Sequence, residues 1–230
     1  IGVRLVGSEM CIRDRIITDT VNFITHLASE SPHPVSRVEQ QQYRELFRET
    51  TRLDPLNASA ETLADYAMST LADQLSPDLR KALGDDRQGW LDLLMSLHIE
   101  PKLPPETLTV ITHYPAEQSL LARLSDEFPG TAERFEIYDR GYELANGFHE
   151  LADSQEQRQR FVNDQKIRAA AGVPVPIIDE ALLNALKTGL PDCSGVAVGI
   201  DRVIMGCEGY QQISETLALQ TATDKNADQN

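Results

Sequence analysis

The chain has 230 residues, and its 36 acidic against 21 basic side chains give a net charge of -15, which leaves no basic patch for gripping nucleic-acid phosphates. No run approaches the roughly 18–20 apolar residues that cross a bilayer, and the start lacks a secretory layout, so a cytoplasmic protein without a membrane partner is expected. Three scattered cysteines, Cys11, Cys193 and Cys207, form no CxxC pair and exclude a disulfide framework or a cysteine zinc site.

Residues 1–15, IGVRLVGSEMCIRDR, share no period with the downstream sequence. They read as a non-native, adaptor-derived segment, so the genuine N-terminal part is expected to be missing. From Ile17 the spacing Ile17, Val21, Ile24, Ala28 marks a helix that ends near the SPHP segment. Tyr43, Leu46 and Phe47 mark a second helix. Leu63, Ala67, Leu71 and Leu75 mark a third, and Trp90, Leu93, Leu94 and Leu97 a fourth. Residues 16–105 are thus expected to be helical, with these stripes as core. After PKLPPE the β-branched run Thr107 to Thr112 predicts a strand. Ala132 to Tyr138 and Tyr142 to Ala145 predict a hairpin. A helix capped by Ser154, with Gln157 as reciprocal partner, should stop at Gly172. Another runs from Asp179 to Gly189, and Gly195 to Met205 reads as a strand entering a helix. Residues 106–220 therefore form a sheet region, and 221–230 a polar, disordered tail.

Three places carry chemistry. A two-residue loop at Asp139 and Arg140 would set Glu136 directly opposite Glu143. Facing carboxylates repel across a ladder, which fits a shared divalent cation; a solvated edge is the alternative. Beyond the hairpin, Asn146, Gly147 and Glu150 lie in an otherwise apolar stretch. A partly buried Glu150 suits a cationic substrate group, and equally an exposed helix start. In GVAVGIDRVIM, Gly195 and Gly199 precede Asp201 and Arg202 at a strand-to-helix junction. Glycines there admit a close ligand or simply another backbone, and arginine offers a planar fork for phosphate.

The two pieces ERFEIYDRGYELANGFHELADSQEQRQRF and GLPDCSGVAVGIDRVIM closely resemble the catalytic domain of class II lysyl-tRNA synthetases, the second as motif 3. The resemblance implies an α+β fold, with a mixed, mainly antiparallel sheet flanked by helices. Three features are most similar to the stand-alone paralogues that join β-lysine to elongation factor P: His149 where the synthetases usually carry Ser, the PDCSG lead-in, and Ala197 where they carry glycine. The resemblance further implies ATP and magnesium as cofactors. It makes Glu136 and Glu143 the carboxylates that hold the metal against ATP, and Arg202, with Gly199, the ATP-phosphate side. Asn146 corresponds to the group that binds the substrate carboxylate, Glu150 to the one that pairs its side-chain ammonium, and Gly195 and Ala197 to the pocket floor. His113, in the loop resembling one wall of that pocket, is read as structural. Motifs 1 and 2 have no counterpart here, so a homodimer is expected only of the full-length protein, and this chain alone is expected to be inactive. Elongation factor P, not tRNA, is the expected acceptor. A lysyl-tRNA synthetase, or a non-catalytic synthetase-like module, are the competing readings.

Overall fold

The computed structural model describes residues 12–217. The first eleven residues of the foreign-looking segment, and the tail predicted to be disordered, lie outside the described residues. Eight helices and five strands are present among the described residues: α1 (Ile12–Ala28), β1 (Arg37–Gln42), α2 (Tyr43–Thr51), α3 (Ala60–Thr70), α4 (Leu79–Leu83), α5 (Arg87–Leu94), β2 (Thr107–Thr112), β3 (Arg134–Asp139), β4 (Tyr142–His149), α6 (Ser154–Ala170), α7 (Glu180–Lys187), β5 (Ser194–Val198) and α8 (Ile200–Glu208).

The strands form one sheet in the order β1-β2-β3-β4-β5, with β1 parallel to β2 and every other pair antiparallel. This is the mixed, mainly antiparallel α+β arrangement expected. All six residues of β2 are buried, because both faces of the sheet are covered. On one face, Ile17 and Ile24 of α1 and Val203 of α8 pack against Leu108, Val110, Phe135, Ile137 and Leu144. On the other, α2, α3 and α5 bring Phe47, Leu63, Trp90 and Leu94 against Ile111, Tyr114 and Tyr138.

Several local expectations are corrected. The first half is not purely helical: Arg37–Gln42, RVEQQQ, pairs as an edge strand, and its polar sequence hides the signal because its ladder is made by the backbone. Helix α1 starts at Ile12, ahead of Ile17, and Arg13 is buried against His113. After α5 the chain makes a π-helical turn over Met95–Ile99. That turn points Met95 and Ile99 inward and leaves Leu97 40% exposed, off the predicted stripe. Helix α3 ends at Thr70, before Leu71 and Leu75. The cap of α6 is Asp153, not Ser154: its carboxylate accepts from the Gln155 and Glu156 amides, while Gln157 turns inward to donate to the Leu120 carbonyl. The Asp179 cap of α7 is as expected.

The largest correction is the register of the hairpin. The loop residues are Arg140 and Gly141, both at positive φ (52° and 79°), so Asp139 pairs with Tyr142 and Tyr138 with Glu143. A bulge then sets Leu144 and Ala145 together opposite Ile137, and Glu136 faces Asn146. Glu136 is not opposite Glu143. The bulge nevertheless keeps the acids together: Leu144 and Ala145 both enter the core, which returns Asn146 to the face that already carries Glu143.

Candidate active site

A cleft of about 320 Å³ opens between the sheet and the α2–α5 layer, lined by Tyr43, Glu100, Tyr114, Arg134, Glu136 and Glu143 among others. The alternation of RFEIYD builds it: Arg134, Glu136 and Tyr138 point one way, and Phe135 and Ile137 fill the opposite core.

Glu136 is 5% exposed and fully engaged. Its Oε2 accepts from the Tyr114 and Tyr138 hydroxyls, each at 2.5 Å. Its Oε1 accepts from the Arg134 guanidinium and, at 3.2 Å, from Asn146 Nδ2. The same guanidinium donates to Asn146 Oδ1 at 3.3 Å and to the Gln118 carbonyl at 2.8 Å, and lies 4.6 Å over the Tyr114 ring. Burial, followed by the Glu136 charge, raises the pKa of both tyrosines, so they stay protonated donors.

Glu143 lies beside this cluster, and burial, with the Glu136 charge adding, pushes its carboxyl above the ordinary value. Arg202, in the first turn of α8, donates from Nη1 to the Glu143 carbonyl at 2.9 Å, and the same atom is 3.9 Å from Glu143 Oε2. Opposite, in the turn after the π segment, Glu100 Oε1 lies 3.2 Å from Tyr138 Oη, whose one proton goes to Glu136, and the Glu100 carboxyl is pushed up to about 7, chiefly by burial.

The remaining predicted residues sit further along the same face. Asn146 pairs with Ala197, and Phe148 with Gly195, across β4 and β5. Glu150 lies just past β4, with its backbone N–H on the Cys193 carbonyl, and its carboxylate crosses directly over Gly195: a Cβ on Gly195 would stand 2.7 Å from Glu150 Oε1. Among the described residues that carboxylate makes no hydrogen bond or ion pair, and burial raises its pKa while His149 opposes the rise. Gly195 thus lets the Glu150 carboxylate lie where it does, and a Cβ would displace the far end of that flexible side chain. A Cβ at Gly199 would meet only ordinary contacts at 3.7 Å. Gly147 is tighter still, since its Cβ would come within 2.5 Å of the Phe135 ring and 2.7 Å of the Gly195 carbonyl.

Glu136, Glu143, Asn146, Glu150, Gly195 and Ala197 thus share one sheet face and Arg202 reaches Glu143 from α8, but of the predicted residues only Glu136 and Glu143 line the cleft itself. Arg134, Tyr114, Tyr138 and Glu100 escaped the sequence reading. The alternation Arg134, Glu136, Tyr138 carried a usable signal for two of them; Tyr114 and Glu100 arrive from segments distant in sequence. His113 is structural as read, with its ring on Arg13 and Thr112 and edge-on to Phe128.

The chain belongs to the class II tRNA synthetases (D, K and N), whose family pattern matches residues 12–222. It is 43% identical over 180 residues to the elongation factor P--(R)-beta-lysine ligase of Salmonella arizonae, a span of 76% of this chain and 53% of that protein. The proteins of the same name from Salmonella dublin and Salmonella gallinarum are 44% and 43% identical over equal spans. The chain spans about half the length of the curated relatives it matches.

Proposed function

We propose that the full-length protein is a cytoplasmic, ATP-dependent ligase. It activates a lysine-type amino acid, (R)-β-lysine in the first instance, as its adenylate and transfers it to a lysine of elongation factor P. The observation that carries this reading is Glu136, Glu143, Asn146 and Glu150 on one sheet face, with Arg202 reaching Glu143 from α8, in a chain 43% identical to ligases of that name. Among the described residues no helix is long and apolar enough to cross a membrane.

In this reading the substrate carboxylate attacks the α-phosphorus of ATP, pyrophosphate leaves, and an acceptor amine then attacks the activated carbonyl. The first step needs no general base, because the nucleophile is already ionised at neutral pH. The chain's own part is positioning and charge placement. Asn146, held by Arg134 and Glu136, presents its amide to the substrate carboxylate. Glu150, a carboxylate without a partner, takes the side-chain ammonium over the floor of Gly195 and Ala197. Arg202 and the open N-terminus of α8 at Gly199 face the ATP phosphates.

Magnesium fits the donor set, since it takes one or two carboxylates with phosphates and water supplying the rest. Glu143 would hold it, Glu136 joining only by giving up one of its present donors, and the ion would neutralise phosphate charge. Glu143 is the readier ligand, because Glu136 already accepts from Tyr114, Tyr138, Arg134 and Asn146. Homodimerisation belongs to the full-length protein.

The test is amino-acid-dependent pyrophosphate exchange by the full-length protein, followed by mass-shift analysis of elongation factor P. Exchange with (R)-β-lysine and modification of the factor are expected; exchange with neither lysine isomer overturns the proposal. This chain alone should give no exchange, since each missing transition-state contact costs about 2.7–4 kcal/mol. Manganese with nucleotide in crystals of the full-length protein should give anomalous density beside Glu143.

A further inference from the structure

His149 ends β4 and is 5% exposed. Both ring nitrogens meet a carboxylate: Nδ1 lies 2.6 Å from Glu133 Oε2 and Nε2 lies 2.6 Å from Asp192 Oδ1. A neutral imidazole has one donor and one acceptor nitrogen, so it cannot satisfy two ionised acceptors at such distances; an imidazolium donates to both. The three residues come from three segments. Glu133 precedes β3, His149 closes β4, and Asp192 belongs to the connection from α7 to β5. Backbone bonds reinforce the junction, with the His149 amide on the Glu133 carbonyl and the Glu150 amide on the Cys193 carbonyl.

What this junction holds is the pocket floor. Three residues beyond Asp192 comes Gly195, beneath the Glu150 carboxylate, and then Ala197 opposite Asn146. One side chain before Glu150 is the imidazole ring. We propose that His149, clamped as an imidazolium between Glu133 and Asp192, is a positioning residue for amino-acid recognition: it fixes the Asp192–Gly195 segment beneath Glu150 and keeps a positive charge beside that carboxylate. The inference rests on the proposed function only for the identity of the ligand that Glu150 awaits.

The charged groups around the ring are Glu133, Asp192, Arg123, whose Nη1 is 3.8 Å from Asp192 Oδ1, and Glu150 itself. Arg123 shares the Asp192 carboxylate and does not reach Glu133, so the two carboxylates are bridged by the imidazole alone. The Asp192 arm is 64% exposed and the Glu133 arm 17% exposed, so the solvated Asp192 bond is the weaker of the two.

The experiment has two independent readouts. Nitrogen-15 NMR of the histidine rings in this chain at neutral pH should find both His149 nitrogens protonated, and Glu150 should titrate at higher pH in His149→Gln than in the wild type. A neutral His149 ring, or an unmoved Glu150, overturns the clamp whatever the enzyme's reaction. In the full-length protein, His149→Gln should raise KM for the amino acid about 10-fold while leaving KM for ATP and the saturated exchange rate near wild type. Asp192→Asn, at the exposed arm and with little risk to folding, should show the same split more weakly. Equal movement of both KM values would overturn the positioning role. Absence of exchange in the wild type, with the NMR results as expected, would sink the proposed reaction and leave the clamp standing.

Discussion

Two ends of one sheet face treat their carboxylates in opposite ways. At the Glu136 end both carboxylate oxygens are held by donors, two of them buried tyrosines that burial keeps protonated. At the Glu150 end a carboxylate lies over a bare glycine with no bond to it among the described residues. The first arrangement fixes geometry before any ligand arrives. The second leaves a partly buried carboxylate unpaired among the described residues, which is where the proposed reading puts a cationic group.

The sharpest way to break this contrast is to remove a donor from the saturated end. Arg134→Met takes the guanidinium from Glu136, Asn146 and the Gln118 carbonyl at once, and leaves a buried carboxylate without its cation. Loss of about 3–5 kcal/mol in urea unfolding is expected. Glu150→Gln, at the other end, removes a charge that nothing pairs, and should change stability by less than about 0.5 kcal/mol. Comparable losses from both variants would erase the distinction between the ends.

Sequence reasoning fared differently at the two ends, for physical reasons. Glu150, Gly195 and Ala197 were singled out through the resemblance of two short segments to the family, and no local pattern encodes their pairing across β4 and β5, about fifty residues apart. The β2 strand, the α7 cap and the strand-to-helix entry of α8 were legible because each is encoded within one short segment. The Glu136 cluster was not: Tyr114 and Glu100 reach it from 22 and 36 positions upstream, and no periodicity encodes that convergence. The hairpin register failed because the loop is Arg140-Gly141, and because a bulge leaves no mark in the alternation when both bulged residues, Leu144 and Ala145, are apolar. The edge strand β1 was missed since glutamines at a sheet margin need no apolar pattern.

A steric break at the open end comes next in size. Gly195→Ala puts a methyl 2.7 Å from Glu150 Oε1, and the carboxylate must swing off the floor. In the full-length protein the amino-acid KM should rise about 100-fold, because small misplacements of a positioning group cost that much. Folding should hardly change, since the atom displaced is the end of a flexible side chain. An unchanged KM would show that Glu150 does not meet the substrate from this position.

The contrast also has a pH signature. Glu100, raised from 4.5 to about 7 by burial, keeps its proton longer in the folded state, so its contribution is present at low pH and is lost as pH rises between those values. His113, lowered from 6.5 to about 4 by burial and then by Arg13, does the reverse, and its contribution is lost as pH falls from 6.5 to 4. The two slopes oppose each other between pH 4.5 and 6.5. Glu100→Gln removes one of them, so the variant's stability relative to wild type should climb from pH 4.5 to 7 and then level off. A pH-independent difference in urea midpoints would mean that Glu100 titrates normally.

The smallest effect expected is at Ala197, and it tests the open end most selectively. Its methyl sits opposite Asn146 on the floor beside Gly195, exposed to whatever occupies the pocket. Ala197→Gly adds room for about one methyl group without touching Glu150, Asn146 or the saturated cluster. A change of that size redistributes preference between lysine isomers by about 1 kcal/mol, several-fold in the ratio of kcat/KM values, and leaves total binding energy almost untouched. The direction should favour an amino group on the α-carbon over one on the β-carbon, because in the proposed reading the methyl narrows the floor where the substrate's backbone would lie beside Asn146. If the ratio stays fixed while both rates fall together, the methyl supports the floor's packing and takes no part in choosing the substrate.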